Sequence, residues 1–124
     1  MRRILIADDE ANMRWVLERT LSKAGYDVET AEDGQFAFDQ ALAERPDLVL
    51  VDLKMPKLDG LSVLRKLKEH YSDLMIVMMT SHGSTASAID AMKAGAHDYL
   101  MKPFDIEELL ITISKAFEVE RLRE

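Results

Sequence analysis

The sequence contains no cysteine, which excludes disulfide bonds, thiolate nucleophiles and zinc or iron–sulfur centres held by cysteine. Long apolar runs are also absent, and none approaches the roughly 20 residues that a membrane-spanning helix needs. The first apolar stretch, Ile4–Ala7, is followed directly by three acidic residues, which is not the layout of a signal peptide. We therefore expect a soluble cytoplasmic domain.

Basic residues are fewer than acidic ones, 16 against 23, so the formal net charge is −7. No stretch is rich in lysine and arginine, and we therefore expect this domain to make no direct contact with nucleic acid or a membrane. Hydrophobic residues make up 48% of the 124 residues, which is enough to build the core of one compact domain.

Short apolar runs alternate with helical periodicities along the whole chain. Three runs lack polar alternation, as in parallel strands that are covered on both faces; they are Ile4–Ala7, Leu48–Val51 and Met75–Met79. Two weaker runs of strand length are Asp27–Ala31 and His97–Met101. Between and after them, apolar residues recur at spacings of three and four, beginning near Met13, Phe38, Leu61, Ala86 and Ile106. This order predicts an α/β fold: a doubly wound, parallel five-stranded sheet of βα units.

Polar residues follow the strands at the sheet edge where open α/β folds bind their ligands. Asp8 and Asp9 follow the first strand, Asp52 follows the third, Thr80 the fourth and Lys102 the fifth. Three carboxylates at one rim repel each other, so they need a cation or protons to coexist. Oxygen ligands without histidine or cysteine favour a hard ion such as Mg²⁺. A carboxylate beside a metal, a lysine and a hydroxyl donor is placed to attack phosphorus and form an acyl phosphate.

Simpler interpretations of these residues exist. Asp8 or Asp9 could cap the first helix, and Thr80 or Ser81 could cap the fourth. Asp59, followed by glycine, is typical of a turn and a helix cap. It is the ordered set, with one member at each strand end, that favours a functional site over these alternatives.

The motifs resemble those of the receiver domains of two-component response regulators, over residues 2–118. The resemblance lies in the acidic pair after the first strand, in Asp52 within Leu50–Gly60, and in Thr80, Tyr99 and the Lys102-Pro103 pair. It implies that Asp52 is the phosphoacceptor and that Thr80 and Lys102 act with it. It further implies Mg²⁺ bound by Asp9, Asp52 and the backbone carbonyl of Lys54, with Asp8 acting mainly through water. Tyr99, His82 and Pro103 would be switch residues, and the Lys102–Pro103 peptide bond would be cis.

The segment Gly95–Asp105 is most similar to receivers of the sigma-54-dependent transcription activators, typified by nitrogen regulatory protein C. His97 and Met101 depart slightly from that subgroup. The resemblance implies a histidine kinase or phosphotransfer protein as phosphodonor, and a homodimer formed through the fourth helix, fifth strand and fifth helix after phosphorylation. It also implies a full-length protein that binds DNA and sigma-54 RNA polymerase. We expect a receiver domain over residues 1–118 and the start of a helical linker over 119–124.

Three other functions remain to be weighed. An aspartyl-phosphate hydrolase of the haloacid dehalogenase kind would carry Asp-x-Asp-x-Thr after its first strand, where this chain has Asp8-Asp9-Glu10. A flavodoxin-type FMN protein would carry a Ser/Thr/Gly-rich phosphate loop there. A degenerate receiver used as a scaffold would lack the acceptor, the lysine or the hydroxyl, and none is missing. We therefore expect a signalling switch that catalyses only its own phosphorylation and dephosphorylation, rather than an enzyme.

Overall fold

Five parallel strands alternate with five helices in the computed structural model of the chain, which describes residues 1–81 and 85–123. This confirms the predicted α/β fold. No helix within these residues is long and apolar enough to cross a membrane. The strands are β1 Arg3–Ala7, β2 Asp27–Ala31, β3 Leu48–Asp52, β4 Met75–Ser81 and β5 Asp98–Lys102, and the helices are α1 Ala11–Lys23, α2 Gly34–Ala43, α3 Gly60–His70, α4 Thr85–Lys93 and α5 Ile106–Arg123.

The strands pair in the order β2-β1-β3-β4-β5. Each neighbouring pair is parallel, so all strands end at the same edge of the sheet. The winding reverses between β1 and β3, and such a switch point leaves a crevice beyond the carboxyl ends of the two strands. The residues that end β1 and β3 therefore lie beside this crevice.

Both faces of the sheet are covered at its centre, which explains the nearly continuous apolar runs of β1, β3 and β4. Leu5 and Ala7 of β1 belong to a core that also contains residues of α2, α3 and α4. Ile4 and Ile6 belong to a second core on the opposite face, formed with residues of α1 and α5. Because successive side chains of a strand point to opposite faces, a strand between two helical layers has no exposed position that favours a polar residue.

At the edge of the sheet where the strands end, β3, β4 and β5 extend further than the apolar runs predicted. Asp52 is the last residue of β3 and pairs with Met79, while Thr80 and Ser81 are still part of β4. The fifth strand covers Asp98–Lys102 rather than His97–Met101, so Lys102 lies in the strand and not after it. The parallel pairing continues through these polar positions because ladder hydrogen bonds join backbone groups and do not require apolar side chains. The functional side chains are thus fixed to the sheet itself.

Candidate functional site

Three carboxylates come together at the switch point of the sheet. Asp8, Asp9 and Asp52 each offer one oxygen atom, and these atoms all lie within 4.8 Å of one another. Asp8 and Asp52 are buried, whereas Asp9 is exposed. The cluster predicted from the strand ends is therefore confirmed as a spatial arrangement.

Lys102 reaches this cluster from the end of β5. Its Nζ donates to Asp8 Oδ2 at 2.8 Å and to Asp52 Oδ2 at 3.2 Å. Burial opposes the charge of Lys102, but the hydrogen bonds and the attraction of Asp8 and Asp52 together outweigh it and raise the pKa of Lys102. The lysine therefore stays protonated and offsets one of the three negative charges.

Opposing effects also act on the pKa of the Asp52 carboxyl group, and here burial is the stronger one. Its burial is the largest influence and raises its pKa, and the neighbouring charge of Asp8 adds to this effect. Lys102 and the amide of Lys54, which donates to Asp52 Oδ1 at 3.3 Å, act in the opposite direction but do not cancel it. Without a further cation, the ionised form of Asp52 is thus disfavoured relative to a carboxylate in water.

The donor set fits Mg²⁺. Three formal negative charges and the single positive charge of Lys102 leave two negative charges, which a divalent cation would neutralise. All three side chains offer oxygen ligands, as Mg²⁺ prefers. The backbone amide of Lys54 also faces the Asp52 carboxylate, which places its peptide chain next to the cluster. That its carbonyl oxygen completes the ligand set stays a prediction.

The helix-capping alternative is wrong for Asp8 and Asp9, because the N-cap residue of α1 is Glu10. The side chain of Glu10 makes no capping hydrogen bond. Asp8 instead accepts the amide of Glu10 through Oδ1 at 2.9 Å, within the loop before the helix. Thr80 and Ser81 are paired within β4. The residues between Ser81 and Thr85 of α4 lie outside the described part of the chain.

Thr80 provides a buried hydroxyl group at the end of β4. Only 1% of the residue is exposed, and its Oγ1 has no hydrogen-bond partner within residues 1–81 and 85–123. Thr80 follows Met79, the residue that pairs with Asp52 in the sheet. A buried, unpaired hydroxyl is costly, so its presence beside the phosphoacceptor candidate suits a group that donates to an incoming ligand.

The loop after β3 packs closely against the end of that strand at Gly60. A Cβ atom at Gly60 would lie 2.2 Å from the carbonyl oxygen of Asp52, so only glycine fits there. Asp59 precedes it and caps α3 by accepting the amide of Ser62 at 2.8 Å, which confirms its predicted turn and cap role. Together these two residues fix the loop that carries Lys54.

The residues predicted to form the switch are only partly described. Tyr99 lies on β5 with 40% of its surface exposed, and with Met101 and residues of α4 it lines a groove of about 380 Å³. The Lys102–Pro103 peptide bond is cis, as the resemblance implied. His82 lies outside the described residues.

Arg14 contacts the site and was not identified from the sequence. From the first turn of α1 it donates through Nη1 to the backbone carbonyl oxygen of Asp8 at 2.8 Å. An arginine six residues after an aspartate on a surface helix gives no signal by itself, because its target is a main-chain atom. Its position in the turn that follows the acidic pair was the only indication available.

Three comparisons relate the chain to known proteins. Its residues 4–121 match the family described as response regulator receiver domain. The DNA-binding transcriptional regulator NtrC of Klebsiella pneumoniae is 40% identical over 111 residues, which are 90% of this chain and 24% of that protein. The response regulator MprA of Mycolicibacterium vanbaalenii is 47% identical over 108 residues, 87% of this chain and 47% of that protein.

A solved structure matches over the whole chain. The crystal structure of a response regulator receiver domain protein from Clostridium thermocellum has a TM-score of 0.94 and 32% identity, and the match covers 100% of both chains. By contrast, the chain spans about a quarter of the length of the NtrC relative and about half that of MprA.

Proposed function

Because the chain belongs to the family of response regulator receiver domains, we propose that it is a phosphorylation switch in which Asp52 accepts a phosphoryl group. Receiver domains of this family are signalling domains of two-component systems rather than conventional enzymes. The phosphodonor would be a histidine kinase or a phosphotransfer protein, and Mg²⁺ would be the cofactor. The observation that carries the proposal is the grouping of Asp8, Asp9, Asp52 and Lys102 beside the unpaired hydroxyl of Thr80.

In the proposed reaction, a carboxylate oxygen of Asp52 attacks the phosphorus atom of a phosphohistidine. A new O–P bond forms, the P–N bond breaks, and the imidazole leaves with the electron pair of that bond. Mg²⁺, when bound, supplies positive charge to the phosphoryl oxygens and to the attacking carboxylate. Hydrolysis of the resulting acyl phosphate would return Asp52 to its carboxylate form, so the chain catalyses only its own modification and its reversal.

Each neighbouring side chain has a proposed role. Asp9 and Asp52 would bind the metal directly, with the carbonyl oxygen of Lys54, while Asp8 would act through a bound water and anchor Lys102. The ammonium group of Lys102 would shift from Asp52 to a phosphoryl oxygen and keep its contact with Asp8. The hydroxyl of Thr80 would donate to another phosphoryl oxygen, which would satisfy a group that is unpaired among the described residues.

The switch would pass from the site to the surface around Tyr99. Movement of Thr80 would open space that Tyr99 can enter by rotation, and Pro103 would adjust with it. The surface formed by α4, β5 and α5 carries several exposed apolar side chains, among them Ile89, Met92 and Met101. We propose that this surface forms a homodimer after phosphorylation; sedimentation with and without beryllofluoride and Mg²⁺ tests it, and an unchanged mass distribution would count against it.

The output of the switch would be transcriptional. The NtrC relative is described as a DNA-binding transcriptional regulator, and the chain matches about a quarter of it. By analogy, the full-length protein would bind DNA and sigma-54 RNA polymerase through other domains. The receiver itself, with a net charge of −7, would contact neither nucleic acid nor a membrane.

Labelling by phosphoramidate tests the phosphoacceptor directly, because this small donor has the same P–N bond as phosphohistidine. The wild-type chain should gain one base-labile, acid-stable phosphoryl group in the presence of Mg²⁺, and Asp52→Asn should gain none. The matched control is Asp59→Asn, which removes a carboxylate from the same loop but keeps a side chain that can cap α3. Labelling of Asp8 or Asp9 in the wild type, or equal labelling in excess chelator, would overturn the proposal.

A further inference from the structure

Arg14 joins helix α1 to the loop that carries Asp8 and the proposed metal ligand Asp9. The residue is half-buried and lines a cleft of about 220 Å³ together with the end of β2 and Phe36 of α2. From there Nη1 donates to the carbonyl oxygen of Asp8 at 2.8 Å. This hydrogen bond gives Arg14 a route to the acidic loop through the backbone.

The atom that Arg14 binds belongs to the peptide group between Asp8 and Asp9. A peptide group is planar, so fixing its carbonyl oxygen also fixes the direction in which the backbone of Asp9 leaves it. Three other bonds hold Asp8 itself: its amide donates to Ala31 O at 3.1 Å, its Oδ1 accepts from Glu10 N at 2.9 Å, and its Oδ2 accepts from Lys102 Nζ at 2.8 Å. The bond from Arg14 acts on the peptide group that leads to Asp9.

Asp9 needs such support more than the other acids. Asp8 and Asp52 are buried and share Lys102, whereas Asp9 is exposed. An exposed side chain is not held by packing, so the orientation of its carboxylate depends on its backbone. The side chain of Glu10, the N-cap residue of α1, makes no capping hydrogen bond that would further fix the start of the helix.

We propose that Arg14 is a positioning residue that orients Asp9 for Mg²⁺ binding through the Asp8 carbonyl; this inference rests on the metal role in the proposed function. Groups that orient metal ligands typically change metal affinity 10- to 100-fold when they are removed. The direction of the change in Mg²⁺ affinity distinguishes a positioning role of Arg14 from a purely electrostatic one. A cation near the site repels Mg²⁺, so loss of its charge alone would tighten binding, whereas loss of the tether weakens it.

Calorimetric titration of the phosphodonor-free chain with Mg²⁺ tests the inference without measuring activity. Arg14→Met should bind Mg²⁺ about 10-fold more weakly than wild type. Arg14→Lys should bind nearly as well as wild type, because a single carbonyl acceptor needs only one donor. The matched control is Arg19→Met, which removes the same charge from α1, where Arg19 stacks on Trp15 and not on the acidic loop; its affinity should be unchanged or slightly higher.

Each outcome decides between the two proposals. Equal or tighter binding by Arg14→Met, compared with Arg19→Met, would overturn the positioning role and leave the proposed function intact. Absence of Mg²⁺ binding in the wild type would overturn the metal role and the inference with it. If circular dichroism shows that Arg14→Met is poorly folded, Arg14→Ala replaces it, since alanine also removes the donor and favours the helix. Wild-type affinity in Arg14→Ala together with unchanged amide exchange at Asp9 would equally overturn the inference.

Discussion

Lys102 lies closer to Asp8 than to Asp52, the proposed phosphoacceptor. The distances from Nζ to Oδ2 are 2.8 Å and 3.2 Å, and the exposed fraction of the Asp8 side chain is 0% against 10% for Asp52. The lysine is therefore anchored by one buried carboxylate and shared with the other. A side chain held in this way can shift toward a phosphoryl group on Asp52 without losing its partner Asp8.

Loss of this lysine should destabilise the metal-free chain. In Lys102→Met three carboxylates would face one another without a cation, and we expect the free energy of unfolding near neutral pH to fall by about 2 kcal/mol. This is less than for a fully enclosed pair, because Asp9 is exposed and water reaches the site. Urea denaturation in the presence of a chelator measures the change.

Two further variants sharpen the Lys102 test. Lys115→Met removes a lysine from the exposed face of α5 and should leave stability within about 0.5 kcal/mol of wild type. Lys102→Arg should be more stable than Lys102→Met but should not show the wild-type response to phosphorylation. The reason is that a planar guanidinium group replaces a compact ammonium group. Wild-type stability in Lys102→Met would contradict the proposed charge balance.

The pKa of Asp52 leads to an unusual pH dependence. Burial raises this pKa in the folded chain, so the folded state binds the proton more tightly than the unfolded state does. The contribution of Asp52 to stability must then decrease as the pH rises from the unfolded pKa through the folded pKa, and it stays lost at neutral pH. We therefore expect Asp52→Asn to be more stable than wild type near neutral pH in chelator, with the difference shrinking toward acidic pH.

Mg²⁺ provides the internal control for the Asp52 prediction. Added Mg²⁺ should stabilise the wild type by mass action and should stabilise Asp52→Asn much less, since the variant has lost a charged ligand. Urea midpoints at several pH values, with and without Mg²⁺, check both points. Equal stability of the wild type and Asp52→Asn in chelator at neutral pH would show that the charge of Asp52 does not lower the free energy of unfolding.

The hydroxyl of Thr80 should lower the free energy of unfolding of the unphosphorylated chain. It should stabilise the phosphorylated chain, in which it can donate to a phosphoryl oxygen. Thr80→Val keeps the shape of the side chain and removes an unpaired buried hydroxyl, so stability should rise by about 1 kcal/mol. The same variant should bind beryllofluoride, a phosphoryl mimic, more weakly because a donor is missing. Thermal unfolding with and without beryllofluoride measures both effects. Thr30→Val on β2 is the control, and a destabilised Thr80→Val would contradict the interpretation.

The sequence predicted the sheet well because burial on both faces leaves a simple pattern. The apolar runs identified β1, β3 and β4. Gly25 follows the C-cap residue of α1, and its φ of +99° is the left-handed conformation that glycine adopts readily. The exact strand ends were missed. Asp52, Thr80 and Lys102 are polar yet paired in the sheet, and hydropathy alone cannot distinguish a strand's last residue from the loop after it.

The site was predictable to the extent that it consists of strand ends. Parallel strands finish at one edge, so the order of Asp8, Asp52, Thr80 and Lys102 along the chain was sufficient to place them together. Contacts made to the backbone were not predictable in this way. The bond from Arg14 to the Asp8 carbonyl depends on the angle at which α1 leaves β1, which no residue type encodes.

The end of α5 is attached to the start of β1. The guanidinium group of Arg2 forms an ion pair with Glu120 and lies 4.9 Å from the centre of the Phe117 ring. That ring is 5.4 Å from the ring of Tyr26, and Val119 packs against the core beneath α1 and α5. The domain boundary expected at residue 118 therefore falls within a contacted part of the helix.

A chain that ends at residue 118 should consequently be less stable than one that ends at 121. The shorter chain loses the packing of Val119 and the partner of Arg2, which together should lower the free energy of unfolding by about 1–2 kcal/mol. Arg2→Ala should destabilise the longer chain more than the shorter one, because part of its contribution needs Glu120. Urea denaturation of the four chains measures this coupling. Equal stability of the two lengths, with no coupling to Arg2, would place the boundary at 118 and make the last turns of α5 an independent linker.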